Sequence, residues 1–359
     1  MKTKLLLKKE QFEPLFKEWE ITGIFNPGGV RMPNGKIVLF VRVAEGKKNT
    51  KGTHTCPTIV SHKEYKQTTH MINKKDIIKI DGNNVFLREG ICVLNDLSHF
   101  RRVFLDETGF KVEKIEQKPI FTGDSEESKY GVEDPRITKI GNRYLMTYVS
   151  VSKKNGISTA LAVSKNLLDW EKRGIIFQEQ NKDAVIFPEK INGLYVALNR
   201  PETAFSNRSS IWISYSPDLT YWGNESPLIR TRDKSWEESR NGAGPPPIKT
   251  KHGWLIIYHG VKEIQKSKKG KIKHIYSAGA ALLDLKNLKR VIARTPKNKP
   301  FFKPTQKYEK GEKDVIFPTT AIKSKNGKDL LIYSGGADAV ISVRKIPISS
   351  IIKSLKKVS

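Results

Sequence analysis

Short apolar runs separated by glycine, asparagine and aspartate dominate the chain, with no heptads and few long helical periods. Alternation of this kind puts successive side chains on opposite faces of a strand and predicts an all-β protein. One frame recurs five times: a proline, a short turn segment with glycine, then a strongly apolar strand with a polar end. The copies begin at Pro27 (strand Lys36 to Val43), Pro135 (Tyr144 to Ser150), Pro188 (Leu194 to Asn199), Pro247 (Trp254 to Gly260) and Pro318 (Asp329 to Ser334). A second unit of apolar alternation and a short turn follows the first four, at Ile91 to Phe100, Thr159 to Trp170, Ile211 to Trp222 and Gly279 to Val291. A shortened one, Ala339 to Ile346, ends the series.

The 359 residues divide into roughly 72 per copy, room for four strands each. Radial repetition of four-stranded sheets is a β-propeller. The expectation is therefore a single five-bladed propeller over residues 1–359, with no domain boundary. The segments 1–20 and 348–359 lie outside the repeat and either close the ring or form a short terminal helix. Within the run Ile137 to Val151, Ile140, Tyr144, Met146 and Tyr148 read as the buried positions of a strand. The polar insertion Ala44 to Asp76 reads as a rim loop. It holds His54, Cys56, His62 and His70, whose spacing fits no standard zinc pattern, so no metal is expected.

Composition narrows the class. No apolar run approaches the roughly 18 residues of a membrane span, so no membrane association is expected. The three-leucine start, Leu5 to Leu7, is too short for a signal peptide, and two cysteines are too few for a disulfide framework. Cytoplasm is the default compartment. The net charge is +28, but 49 lysines outnumber 16 arginines and are spread from end to end. Nucleic-acid sites cluster their basic residues and lean on arginine, so no nucleic-acid partner is expected. Lys262 to Lys273, with six lysines, reads as a solvated loop.

Candidate chemistry centres on Tyr130-Gly131-Val132-Glu133-Asp134-Pro135-Arg136. Pro135 disfavours helical backbone at Asp134, so Asp134 is expected in extended conformation at the mouth of a strand. A carboxylate there, beside Arg136, is a candidate acid. In a propeller, equivalent positions of different repeats converge on one mouth. The ends of the repeat strands carry Arg42, Tyr148, Arg200, His259 and, just beyond the last, Asp338; Lys182 and Arg240 precede the third and fourth copies. Such a ring of cations suits an anionic ligand, and phosphate fits it. The bland alternatives are that Arg42 pairs with Glu45, that Arg200 pairs with Glu202, and that His259 is a satisfied inner-strand histidine.

These residues resemble glycoside hydrolase family 130, the β-mannoside phosphorylases and a few hydrolase relatives. The resemblance runs from about Phe25 to Val343. It is carried by Phe25-Asn26-Pro27-Gly28, Val132 to Arg136, Lys182-Asp183-Ala184-Val185-Ile186-Phe187-Pro188, Leu198-Asn199-Arg200-Pro201, Gly242 to Pro247, Gly253 to Gly260, Val315 to Pro318 and Gly336-Ala337-Asp338. The resemblance implies a five-bladed propeller that cleaves a β-mannoside with inorganic phosphate and inverts the anomeric centre to give α-mannose 1-phosphate. It implies Asp134 as the acid, its proton passing through the mannose 3-hydroxyl. It implies Lys182, Arg200, Arg240 and His259 as phosphate ligands, and Asn26, Arg42, Arg88, Glu133, Arg136 and Asp338 as sugar contacts. No cofactor is implied beyond phosphate as co-substrate. Family members often form oligomers, and the first twenty residues are a candidate contact. An inverting hydrolase on the same fold, or a non-catalytic propeller that binds glycans or polyanions, is the alternative.

Overall fold

The computed structural model describes residues 2–47, 53–61, 66–202, 208–265, 272–337 and 339–358. Five mainly antiparallel sheets account for most of them, the first four built from strands in chain order. The first contains Trp19–Arg31, Ile37–Lys47, Leu97–Leu105 and Val112–Ile115. The second contains Val132–Ile140, Arg143–Ser152, Gly156–Ser164 and Glu171–Phe177. The third contains Asn181–Ile186, Tyr195–Pro201, Ile211–Ser216 and Gly223–Ile229. The fourth begins at Arg240–Ala243 and continues through the long hairpin Gly253–Gln265 and Ile272–Leu283 to Val291–Arg294. The fifth contains Phe317–Lys323, Asp329–Gly336 and Val340–Pro347, and the N-terminal strand Lys2–Lys8 completes it. Lys2 faces Lys345 and Lys8 faces Val340, so one sheet joins both ends of the chain. The C-terminal segment supplies the helix Ile348–Ser354, whose Ile351 is buried beneath the fifth sheet.

The packing explains why the second strand of each sheet is the easiest to read. Its two faces feed two different cores. Val38 and Phe40 pack toward the second sheet, whereas Ile37, Leu39 and Val41 pack toward the fifth. Trp254, Ile256 and Tyr258 join the third sheet's core, whereas Leu255 and Ile257 join the fifth sheet's. A strand buried on both faces is a continuous apolar run rather than an alternation. One hydrophobic core lies between each successive pair of sheets, and another lies between the fifth and the first. Trp254 is fully buried in this scheme, and its truncation to alanine would cost about 3–5 kcal/mol.

Three expectations change. The run Ile137 to Val151 is two strands with a turn at Gly141, which has φ +58°, between them. The insertion after Ala44 is not a plain loop: Thr53–Ser61 pairs with Lys66–Asn73, and Ile77–Asp81, Asn84–Leu87 and Cys92–Leu94 form a three-stranded sheet. Cys56, Val85, Val93 and Leu94 bury themselves there against Tyr130, just before the second sheet, and Val149 and Val151 within it. His54 bonds Asn95 and His70 bonds Thr58, while His62 lies outside the described residues. Finally, the ends of Lys262 to Lys273 extend the fourth sheet's hairpin, with Lys262 facing Ile275; residues 266–271 lie outside the described residues.

Candidate active site

The first strands of the sheets are poorer in apolar residues and carry Asn26, Glu133, Asp134, Arg136, Lys182 and Arg240 of the candidate site, while Arg42, Arg200 and His259 lie on the second strands. Three of the first strands break register at the same place: between Phe25 and Gly28, Glu133 and Arg136, and Lys182 and Val185. Each bulge projects one polar residue at positive φ: Asn26 at 28°, Asp134 at 50° and Asp183 at 55°. Asp134 is therefore left-handed rather than extended. The following proline excludes right-handed helical backbone, but the bulge takes up the left-handed region, which Asn and Asp tolerate best. Holding a non-glycine residue there costs about 1–3 kcal/mol, strain of the kind that gathers at functional sites. Close approach of the sheets adds a requirement at Gly28, where a Cβ would lie 2.7 Å from the carbonyl oxygen of Pro135.

Asp134 is held from one side. Asn26 Nδ2 donates to its Oδ1 at 2.9 Å and Arg42 Nη1 donates to the same oxygen at 3.2 Å. Arg42 also donates to Glu133 Oε1 at 2.8 Å and to Ser98 Oγ at 2.9 Å, and its guanidinium lies over the Phe25 ring. The expected alternative pairing of Arg42 with Glu45 does not form. Glu45 points the other way, accepts from the Leu15 amide at 2.8 Å and is pushed by burial up to about 7. Among the described residues no donor reaches Asp134 Oδ2.

Arg136 joins this half to the next. Its Nη1 donates to the Asp134 carbonyl at 3.0 Å and its Nε to the Gly244 carbonyl at 2.8 Å. Its Nη2 faces Asp183 Oδ1 at 3.7 Å. Asp183 is buried and accepts from Arg200 Nε at 2.7 Å; Arg200 Nη1 donates in turn to Glu202 at 2.7 Å. Burial favours the neutral acid, but the positive charge and hydrogen bonding around it, Arg200 foremost with Arg136 behind it, together outweigh burial and hold Asp183 well below the usual carboxylate range. Burial likewise raises Glu202, and Arg200, then Lys182 and Arg240, hold it below its ordinary value. The three expected cations thus gather about one carboxylate. Arg240 Nη2 also donates to Tyr276 Oη at 2.7 Å.

His259 departs from the expected cationic role. It is buried beside Arg200, Arg136 and Arg240, its ring 4.2 Å from that of Phe317. Burial pushes it down first, the Asp183 carboxylate pulls it back up, and Arg200, Arg136 and Arg240 add to the downward push; the result is about 3, a neutral imidazole at physiological pH. Its Nε2 is 3.7 Å from Asp183 Oδ2, and its buried Nδ1 has no hydrogen-bond partner among the described residues.

The structure brings Asn26, Arg42, Glu133, Asp134 and Arg136 together, and Arg136 links them to Lys182, Arg200, Arg240 and His259. It does not bring Arg88 to them: Arg88 is exposed in the insertion and donates to the Lys75 carbonyl at 2.8 Å. Asp338 lies outside the described residues. Tyr148 donates to Glu127 at 2.8 Å instead of joining the cluster. Sequence reasoning misses Asp183, Ser98, Tyr276 and Phe317. Asp183 and Phe317 stand in stretches singled out above, and Asp183 also shares the frame of Asp134, but the absent proline hides it.

This site belongs to a known class of carbohydrate-active enzymes. The family model for glycoside hydrolase family 130, described as β-1,4-mannooligosaccharide phosphorylase, matches residues 101–357. A β-1,2-mannobiose phosphorylase of Listeria innocua is 35% identical over 96% of this chain and 94% of that protein. A 1,2-β-oligomannan phosphorylase of a Thermoanaerobacter species is 39% identical over 63% of this chain and 71% of that protein. The solved structure of the Listeria innocua β-1,2-mannobiose phosphorylase, in complex with β-1,2-mannobiose, is similar with a TM-score of 0.85. It is 32% identical and the match covers 97% of this chain and 96% of that one. The chain belongs to glycoside hydrolase family 130.

Proposed function

We propose that this protein cleaves a β-mannoside by inverting phosphorolysis, with Asp134 as the acid and the Lys182, Arg200, Arg240 and His259 group holding phosphate. Family membership and the named relatives make it a glycoside phosphorylase. The observation that carries the division of labour is Arg136, which touches the Asp134 carbonyl and faces Asp183 of the basic cluster. An acid and an anion site therefore share one rigid element. In the reaction, a phosphate oxygen forms a bond to the anomeric carbon while the glycosidic C–O bond breaks. The leaving oxygen takes a proton that originates on Asp134 and passes through the mannose 3-hydroxyl. Phosphate is already an anionic nucleophile, so no second carboxylate is needed to activate water, unlike in an inverting hydrolase. The neighbouring carboxylates suit that economy: Glu133 pairs with Arg42, and Asp183 with Arg200.

The five sheets are the blades of one five-bladed propeller. What supports this is the succession of cores that returns from the fifth sheet to the first. The two relatives matched over 94% and 71% of their length act, by name, on β-1,2-linked mannosides, and β-1,2-mannobiose is the first substrate to try. The test is incubation with β-1,2-mannobiose, β-1,4-mannobiose and a mannosyl-glucose, each with and without phosphate. Phosphate-dependent α-mannose 1-phosphate is the expected product. Free mannose formed at the same rate with or without phosphate would replace this reading with a hydrolase.

A further inference from the structure

Asp183 is an odd residue to find among phosphate ligands. A carboxylate inside an anion site repels the anion. Yet the protein commits several features to it. The third bulge holds it at positive φ, in the register that Asp134 occupies in the second sheet. Its side chain is only 3% exposed. Arg200 Nε bonds it at 2.7 Å, and Arg136 Nη2 and His259 Nε2 each face it at 3.7 Å. On the fourth sheet Gly242 lies directly against it: a Cβ there would overlap the Asp183 carboxylate and the His259 ring. Gly242 is not at positive φ, so clearance for this cluster is the reason for glycine.

Two polar atoms of the residues around this carboxylate, Arg136 Nη2 and His259 Nδ1, are buried without a hydrogen-bond partner. Both neighbours of Asp183 thus keep a donor or acceptor in reserve. Arg200 keeps one fork on Asp183 and turns Nη1 outward to Glu202, among Lys182 and Arg240. A flexible arginine held at its Nε is left with one direction in which to present its remaining donors, which lowers the entropy lost on binding.

We propose that Asp183 is a positioning residue for phosphate: it fixes Arg200, Arg136 and His259 in the geometry that binds the co-substrate, and does not itself touch the reacting atoms. This rests on the phosphorylase reading above. It makes a prediction opposite in sign to simple charge. If only charge mattered, Asp183→Asn would remove a repulsive carboxylate and lower the KM for phosphate. If position matters, the same change loosens three neighbours and raises it.

The experiment is steady-state kinetics with both substrates varied, for wild type, Asp183→Asn, Gly242→Ala, Arg200→Ala and the Asp183→Asn/Arg200→Ala pair. The KM for phosphate should rise about tenfold or more in Asp183→Asn, with the KM for the mannoside nearly unchanged. In the Arg200→Ala background, Asp183→Asn should raise it little further, because the group it positions is gone. Gly242→Ala keeps every charge and disturbs only the fit, so it carries the test if Asp183→Asn does not fold; a several-fold rise is expected. A phosphate KM that falls or stays level in Asp183→Asn, fully additive effects in the pair, or a wild-type phosphate KM in Gly242→Ala would each overturn the assignment. A wild type indifferent to phosphate would remove the phosphorylase reading itself; a phosphate-dependent wild type with those outcomes removes the role of Asp183 alone.

Discussion

The second and third sheets make the same backbone device and put it to different ends. Both interrupt their first strand with a bulge, and both hold an aspartate there at nearly the same positive φ. Asp134 is 15% exposed and gripped on one oxygen by Asn26 and Arg42. Asp183 is 3% exposed and locked into an ion pair with Arg200. In the mechanism proposed above, the aspartate in the more open bulge is the one that exchanges a proton with the substrate. The one in the closed bulge is held as an anion and organises its neighbours. The same strained position thus recurs in successive sheets, and the surrounding residues set how exposed and how tightly paired each copy is.

The sharpest way to break this contrast is Asp134→Asn. Loss of a general acid lowers kcat by about 10²–10⁴-fold. The melting temperature should stay close to wild type, because Asn retains an oxygen for Asn26 and Arg42. Substantial turnover in that variant would move the acid elsewhere.

The next effect separates two members of the proposed phosphate group. Arg200→Ala removes a charge-assisted contact of about 1.5–3 kcal/mol, or roughly 10- to 150-fold in the KM for phosphate. His259→Ala removes a neutral one of about 0.5–1.5 kcal/mol, roughly 2- to 13-fold. Equal losses would mean that His259 is charged when phosphate binds.

The state of His259 can also be read from stability. Its folded value near 3 lies below the unfolded value of about 6.5, so between those values the unfolded chain binds more protons. Its contribution is fully present above pH 6.5 and is lost as pH falls toward 3, by about 1.4 kcal/mol at pH 5.5. Denaturant melts of His259→Gln from pH 8 to pH 5 should show a flatter acid limb than wild type. An unchanged slope would place the histidine in a solvated setting.

The smallest expected effect concerns the Asp134 side. Arg42→Lys keeps the charge but cannot fork between Glu133 and Asp134. Loss of one such bond, about 1 kcal/mol, should lower kcat roughly fivefold and leave the KM for phosphate unchanged. A rise in phosphate KM instead would show that Arg42 belongs to the anion site.

The sequence makes the second strands legible because they are buried on both faces and appear as unbroken apolar runs. The first strands are harder: they are bulged, rich in proline and glycine, and carry polar residues inward. The frame built on prolines finds Pro27 and Pro135, which sit within the first strands. In the third sheet Ala184 stands where the proline would be, and the frame slides on to Pro188, beyond the strand. That slip hides Asp183, although the motif around it is plain. Lys182, Arg200 and Arg240 are legible as cations near strand ends. The neutrality of His259 is not, because it arises from burial and from three arginines distant in sequence. Arg88 follows the strand Asn84–Leu87 of the small three-stranded sheet and is bonded there to the Lys75 carbonyl, a fold of this segment that the sequence pattern does not announce.

The central claim is that Asp134 serves the proton and the Arg200 cluster serves phosphate. Direct titration of inorganic phosphate into wild type, Asp134→Asn and Arg200→Ala, followed by calorimetry, tests it without turnover. Asp134→Asn should bind phosphate within about twofold of wild type, while Arg200→Ala should bind roughly 10- to 150-fold more weakly. Equal weakening in both variants, or none in either, would contradict the division between the two bulges.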